Sequence, residues 1–194
     1  MNDDPPALHA HAMDNLRFIR RTMERAGPFT AVPGWGGVLM GGVALTAAAA
    51  AGPVGRRRWL MTWFAAAGAA ALVGGVAMAR KARASNVPLF GAPLQRFALA
   101  YLPALAAGAV LTAVFTASGL AARLPGCWLL LYGTAAAAGG ALSVRIVPIL
   151  GLAFMAFGVA AFVAPESWGN AFMAAGFGGL HICFGLMIAR NYGG

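Results

Sequence analysis

His181 is the side chain in this sequence that most invites a chemical role. It lies about thirteen residues after Trp168 in a long apolar stretch, and therefore close to the middle of a membrane-spanning helix. An imidazole there can act as a haem ligand, as a proton-sensitive switch, or as part of a small polar pocket with Tyr132 and Thr134. We favour a structural role, in which a neutral ring hydrogen-bonds to a carbonyl or hydroxyl group of a neighbouring helix.

Neither a proton-sensitive switch nor a haem site can be formed by His181 alone. A proton-sensitive switch requires a charged imidazole inside the bilayer, and burial disfavours the charged form. A haem site needs a second axial ligand, but His9 and His11 lie in the N-terminal arm and none of the nine methionines stands out. No cofactor is predicted.

Other patterns of catalytic residues are missing from the sequence. It contains no metal-ligand spacing, no G-x-S-x-G, no phosphate loop with its lysine and no paired carboxylates. Cys127 and Cys183 fall at different depths of their predicted helices, so no disulfide between them is expected. The threonines in apolar segments are expected to bond to helix carbonyls: Thr46, Thr62, Thr112, Thr116 and Thr134. We do not expect an enzyme.

The composition is that of an integral membrane protein. Of its 194 residues, 60% are apolar and 10% are charged, and the mean hydropathy is +0.74. The net charge of +9 does not indicate nucleic-acid binding, because the basic residues cluster at helix ends and in short loops. The predicted partners are the lipid bilayer and its anionic headgroups, together with other membrane-protein subunits or further copies of this chain.

Six apolar segments predict an all-α domain of six transmembrane helices over residues 31–194. They lie at roughly 33–52, 59–80, 97–118, 127–144, 147–164 and 168–189. Lipid tails provide no hydrophobic force between helices, so small residues at four-residue spacing predict the places where helices approach closely. These predicted packing residues include Gly37, Gly41, Gly74, Gly139 and Gly178.

The segments group into three tandem hairpins, at about 33–80, 97–145 and 147–190. Each has a starting proline, a proline near the turn, a tryptophan near the start of the return helix and an arginine at its end. The three sets are Pro33, Pro53, Trp59 and Arg80; Pro103, Pro125, Trp128 and Arg145; and Pro148, Pro165, Trp168 and Arg190. This order predicts a pseudo-threefold bundle with the tryptophans at one membrane interface and the arginines at the other.

Residues 1–30 predict a basic amphipathic helix on the cytoplasmic face of the membrane. Leu16, Ile19 and Met23 recur at helical spacing. We assign six basic residues to lipid or partner contact: Arg17, Arg20, Arg21 and Arg25 in this arm, and Lys81 and Arg83 in the loop at 81–96. We favour an arm packed on the loops of its own bundle, and the alternative is a lipid-sensing or partner-docking arm.

The distribution of basic residues predicts the orientation. Ten lysines and arginines fall on the side of the termini, and the other side holds four, namely Arg56, Arg57, Arg58 and Arg123. Because cytoplasmic loops carry the positive excess, both termini are predicted in the cytoplasm. The predicted location is the bacterial inner membrane.

The last hairpin shows a repeated pattern most clearly. An apolar helix with regularly spaced glycines is followed by a turn with proline, and then by a second helix that ends in glycine and a basic residue. The residues are Gly151, Gly158, Pro165, Gly176, Gly185 and Arg190. Over roughly 33–190 this pattern resembles the short-repeat, six-helix bacterial membrane proteins typified by the HdeD acid-resistance family. The resemblance implies a stress-related inner-membrane protein without known catalysis, and it supplies no active-site residues.

Together these observations predict a non-catalytic structural or accessory membrane protein. It would serve as a subunit of a larger membrane complex or in a stress response. The first alternative is a passive pore or carrier for a small neutral molecule through the centre of the bundle. The second is a haem-binding membrane subunit that uses His181.

Overall fold

The computed structural model describes residues 11–19, 22, 27–85 and 90–193. Residues 11–19, here α1, are helical and exposed. The predicted contact residues Arg20, Arg21 and Arg25 lie outside the described residues. The later helices are α2 (Gly34–Ala50), α3 (Arg57–Ala84), α4 (Ala92–Ala117), α5 (Leu124–Gly140), α6 (Ile146–Val163), α7 (Gly169–Met173) and α8 (His181–Tyr192).

The last part of the chain forms one continuous rod that is not a regular α-helix throughout. A π-helical segment, Ala174–Leu180, joins α7 to α8 without a break. We call residues 169–192 the C-terminal helix. A π-helix has wider turns than an α-helix, so this segment shifts the direction in which the following side chains leave the helix, that of His181 first.

The fold is all-α, with four helical stretches long and apolar enough to cross a membrane. They are Arg57–Ala84, Ala92–Ala117, Ile146–Val163 and Glu166–Tyr192. The remaining two long helices, α2 and α5, have 17 residues each. At 1.5 Å per residue they are about 25 Å long, somewhat less than a bilayer's hydrocarbon core. A crossing by all six helices stays a prediction.

The helices form an open arrangement with a gap between α3 and α4. The α2 helix packs between α3 and the C-terminal helix, and α5 packs between α4 and α6. The C-terminal helix joins the two groups through its contacts with α2, α5 and α6. The backbones of α3 and α4 stay apart along their described lengths, and the side chains of the two helices meet in the cluster that holds Ala82, Leu94 and Phe97.

Large side chains fill the centre of the bundle. Trp59, Leu129, Phe154 and Met173 are fully buried in a single apolar cluster. The three tryptophans predicted at one interface differ in exposure, because Trp59 is 0% exposed and Trp168 is 58% exposed, and their common position at a membrane interface stays a prediction. The Trp59 ring lies inside because it stacks on Trp128 with a centroid separation of 5.2 Å.

Glycines bring α2 and the C-terminal helix into close contact. A Cβ atom added at Gly41 would lie 2.7 Å from the carbonyl oxygen of Gly178, and one at Gly37 would lie 3.3 Å from Cα of Gly185. At Gly178 an added Cβ would meet the Leu45 side chain at 2.5 Å. Real Cβ atoms essentially never lie within 3.0 Å of a backbone atom of another helix, so Gly41 keeps the two backbones at this distance only as glycine, whereas a methyl group at Gly37 or Gly178 requires its neighbour to shift.

The other two predicted packing glycines face side chains rather than backbone. A Cβ atom at Gly139 would lie 3.1 Å from the ring of Phe97 and 3.2 Å from Cβ of Tyr101 on α4. At Gly74 it would lie 3.0 Å from the sulfur of Met40 on α2. These two glycines therefore face α4 and α2, respectively.

Lys81 ties several segments together at the end of the bundle that holds residues 29–33. Its Nζ donates to the carbonyl oxygens of Val32 (2.9 Å), Tyr192 (2.9 Å) and Gly193 (2.6 Å). The hydroxyl of Ser143 donates to the carbonyl of Phe29 nearby. The Lys81 ammonium group that the sequence assigned to lipid or partner contact is thus engaged within the chain, whereas Arg83 is exposed.

Asn170 forms hydrogen bonds to two other segments at the opposite end of the bundle. Its Nδ2 donates to the carbonyl of Gly52 in the α2–α3 turn (2.6 Å), and its Oδ1 accepts from Nε1 of Trp59 (2.6 Å). Arg123 donates to the carbonyl of Phe162 at the same end (2.9 Å). Gly52 has a φ of 74°, a conformation that glycine adopts without strain.

Candidate functional site

A cavity of about 650 Å³ lies inside the gap between α3 and α4. Its lining includes exposed residues of both helices, such as Ala67 and Ala71 on α3 and Leu105 and Ala109 on α4. The cavity is therefore open along its side. Because α3 and α4 are both apolar enough to cross a membrane, this opening faces the region that lipid tails would occupy.

The cavity extends along most of the α3 helix. It follows α3 from Trp63 to Met78, which is a length of about 22 Å at 1.5 Å per residue. Small residues line α3 between these ends, among them Ala70 and Gly74. Its described walls contain no Asp, Glu, Lys or Arg side chain. They therefore suit a neutral, apolar occupant.

Aromatic side chains form much of the inner wall. Tyr132 on α5 meets Phe177 on the C-terminal helix edge to face at 5.1 Å, and Trp63 lies 6.2 Å from Phe177. Nearer the other end, the rings of Phe97 and Tyr101 stack at 5.3 Å. Such pairs give a rigid apolar surface, because offset and edge-to-face contacts fix the ring positions.

His181 lies at the back of the cavity and uses both of its ring nitrogens. Nδ1 is 2.9 Å from the carbonyl oxygen of Phe177, which only accepts, so Nδ1 carries the proton and donates it. Nε2 is therefore the acceptor, and the hydroxyl of Tyr132 donates to it across 2.7 Å. The ring is 6% exposed and lies against Phe154 at 5.2 Å. The imidazole is therefore neutral, and both of its nitrogens form hydrogen bonds.

The predicted polar pocket contains Tyr132 and His181 but not Thr134. The Thr134 hydroxyl donates to the carbonyl of Leu130 in its own helix, and its side chain is exposed. Two residues correspond to about 200° around a helix, so Thr134 points away from Tyr132. In the described residues no group of three or more His, Cys, Asp or Glu side chains could hold a metal ion. Haem ligation by Nε2 would require breaking the bond from Tyr132.

Trp63 also lines the cavity, and its place four residues after Trp59 does not indicate its role. Its Nε1 is, in the described part of the chain, the one buried side-chain nitrogen or oxygen atom without a hydrogen-bond partner. Its neighbours differ: Nε1 of Trp59 donates to Asn170, and Nε1 of Trp128 donates to Thr112 across 2.7 Å. A buried N–H group without an acceptor is costly, so Trp63 marks a place suited to an acceptor.

No protein-family model, no curated protein and no solved structure matches this chain. The cavity, the Tyr132–His181 pair and the Trp63 N–H group are therefore the observations from which a function is inferred.

The N-terminal arm is separate from the cavity. The described residues 11–19 are all exposed, including the apolar side chains of Leu16, Phe18 and Ile19. Arg17 forms an exposed ion pair with Asp14 at 3.4 Å. Residues 11–19 thus expose apolar side chains and the Arg17–Asp14 pair, and a role of this stretch at a membrane surface or with a partner stays a prediction.

Proposed function

We propose that this chain is a non-catalytic, multi-pass membrane protein that holds a neutral, lipid-soluble molecule in the cavity between α3 and α4. The observation that carries this proposal is the side opening of the cavity between two helices that are apolar enough to span a membrane. Ligand cavities of several hundred Å³ with mostly apolar walls and a few polar groups are the usual form of small-molecule sites.

The proposed topology is six crossings with both termini in the cytoplasm. The turns before α3, after α4 and after α6 gather at one end, where Asn170 and Arg123 bond to them. Residues 29–32, 142–143 and 192–193 gather at the other end around Lys81 and Ser143. Each long helix thus runs from end to end, which supports six spans. The excess of basic residues supports the orientation.

The polar groups of the cavity support binding rather than catalysis. His181 has no free ring nitrogen, and no charged side chain lies among the described wall residues. General acid–base chemistry needs a group that is free to exchange a proton with a substrate. The filled centre around Trp59, Phe154 and Met173 also favours a molecule that comes in from the side over a pore through the middle.

Photolabelling with a small apolar diazirine, phenyl(trifluoromethyl)diazirine, tests the cavity. Protein in liposomes is irradiated, and label is mapped on α5 and the C-terminal helix behind the cavity. Gly75 lines the cavity and Gly68 does not, although a Cβ atom added at either glycine meets nothing within 4 Å. We expect Gly75→Phe to remove the label and Gly68→Phe to keep it. Equal labelling in both variants would count against the proposal.

A role as an accessory subunit is the second candidate, supported by the outer face of α3. Met61, Ala65, Gly68 and Leu72 recur at helical spacing and are exposed. Small residues on an apolar helix allow another membrane helix to approach closely. Pull-down in mild detergent tests this. A partner in stoichiometric amount should be lost in Gly68→Phe and kept in Gly75→Phe, and absence of any such partner would contradict this candidate.

A further inference from the structure

We propose that the molecule in the cavity is an acyl lipid whose ester carbonyl accepts a hydrogen bond from Nε1 of Trp63. The hydrocarbon chain of the lipid then lies along α3 toward Met78. This inference rests on the proposed function, and it adds the chemical class of the ligand and the residue that selects it.

The indole N–H groups of Trp59 and Trp128 have acceptors in Asn170 and Thr112, whereas that of Trp63 has none among the described residues. The Trp63 nitrogen is buried, so a group in the cavity reaches it once the ring turns slightly toward the cavity. Indole N–H is a donor only, so its partner must be an acceptor such as a carbonyl oxygen. A neutral carbonyl group fits, because the described cavity walls hold no cation to pair with a carboxylate.

The depth of Trp63 in a membrane follows from its position on α3. The α3 helix begins at Arg57, next to Arg56 and Arg58, whose charges belong at the level of the lipid headgroups. Trp63 is six residues further, about 9 Å along the helix axis. The headgroup region of a bilayer is about 6 Å thick on each side. The Trp63 ring therefore lies just inside the hydrocarbon boundary, next to the level of the lipid ester groups.

The cavity extends for roughly 22 Å between Trp63 and Met78, a length that an acyl chain can occupy. Ala67, Ala71 and Gly75 line it on α3, so a chain can lie close to the helix backbone. The donor at one end and the apolar cavity beyond it match an ester group followed by its chain.

A pair of photoactivatable phospholipids tests this inference. One is a diacyl phosphatidylcholine with a diazirine in its chain, and the other is the ether-linked analogue that lacks the ester carbonyls. Vesicles containing the protein and either lipid are irradiated, and label on residues of the cavity wall is measured. We expect the wild-type protein to prefer the ester lipid by about three- to tenfold, the effect of one hydrogen bond.

The variants assign the preference to one side chain. Trp63→Phe keeps an aromatic ring and breaks no side-chain hydrogen bond to the described residues, so we expect it to fold and to lose the ester preference. Trp35→Phe is the matched control, because Trp35 is 58% exposed on α2 and does not line the cavity. It should keep the preference. If Trp63→Phe fails to fold, the comparison of ester and ether lipids on the wild-type protein decides.

The outcomes separate this inference from the proposed function. Equal labelling of the wild-type cavity by ester and ether lipids overturns the carbonyl assignment and leaves the cavity as a binding site. If neither lipid labels the wall and the small diazirine does not distinguish Gly75→Phe from Gly68→Phe, both proposals fail. An isoprenoid quinone that displaces the ester lipid from wild-type protein but not from Trp63→Phe overturns the acyl assignment in favour of a quinone.

Discussion

The hydroxyl group of Tyr132 donates to Nε2 of His181 across 2.7 Å and so links α5 to the C-terminal helix. The other ring nitrogen donates to the carbonyl of Phe177, which fixes the imidazole as its neutral Nδ1–H form. This link lies at the back of the cavity, where water would have to pass the apolar lining to reach it. Both ring nitrogens of His181 therefore have hydrogen-bond partners, as expected of a structural residue.

Replacing His181 should reveal how much this link stabilises the bundle. His181→Leu leaves the Tyr132 hydroxyl without its acceptor, so we expect a loss of about 0.6–2 kcal/mol in the free energy of unfolding. His181→Gln keeps a hydrogen-bonding group and should lose less. Unfolding in mixed micelles measures both variants. A loss that is the same for Gln and Leu would mean that the hydrogen bonds contribute nothing.

A double-mutant cycle should isolate the bond itself. Tyr132→Phe removes the donor and keeps the ring that packs on Phe154 at 4.8 Å. Because both single variants break the same bond, the Tyr132→Phe, His181→Leu double variant should be more stable than the sum of single losses predicts, by about 0.5–1.5 kcal/mol. Additive losses would show that the two side chains are not coupled.

The absorption spectrum should separate the structural role of His181 from haem ligation. We expect purified protein to show no Soret band, because both ring nitrogens already have partners. Addition of haem should produce no band that depends on His181. A Soret band present in the wild-type protein and diminished in both His181→Gln and His181→Leu would replace the structural role with a cofactor site.

Adjacent glycines on α2 should differ sharply in their tolerance of a methyl group. An added Cβ atom at Gly41 would lie 2.7 Å from the carbonyl of Gly178, so Gly41→Ala should destabilise the protein by about 1–3 kcal/mol. The neighbouring Gly42 has nothing within 4 Å of an added Cβ atom, and Gly42→Ala should be neutral or stabilising by up to about 1 kcal/mol. Unfolding of the two variants under identical conditions checks this contrast.

Cysteine labelling of intact cells should decide the orientation. In a background with Cys127 and Cys183 replaced by alanine, a membrane-impermeant maleimide should label Arg56→Cys and leave Phe90→Cys unlabelled. Position 90 is well suited because Phe90 is 85% exposed. Permeabilised cells, in which both positions should react, provide the control. Labelling at position 90 alone would reverse the proposed topology.

The positions of the long helices could largely be read from the sequence. The α6 helix, Ile146–Val163, lies within one residue of the predicted segment at 147–164. The α5 helix begins earlier than predicted, at Leu124, because Pro125 fits the first helical turn, where no N–H group is needed. The α3 helix continues to Ala84, beyond the apolar stretch, because Lys81 and Arg83 are good helix formers and apolarity alone does not mark the end of a helix.

The cavity and its polar groups could not be predicted from the sequence. Helices that are apolar on every side give no sequence signal for which face packs on protein and which faces lipid, so the gap between α3 and α4 was not predicted. The unpaired N–H group of Trp63 depends on where Asn170 and Thr112 lie in space. The π-helical segment likewise follows from contacts between helices, although Gly176, Gly178 and Gly179 in it are a composition that permits such a turn.

The two walls of the cavity belong to different groups of helices, α3 with α2 and α4 with α5. Contacts across the gap lie at its two ends, where Trp59 stacks on Trp128 and where Ala82 packs in one cluster with Phe97. The middle of the gap, beside Ala71 and Leu105, therefore offers the least protein resistance to widening. Bulky molecules would be accommodated there more easily than at either end.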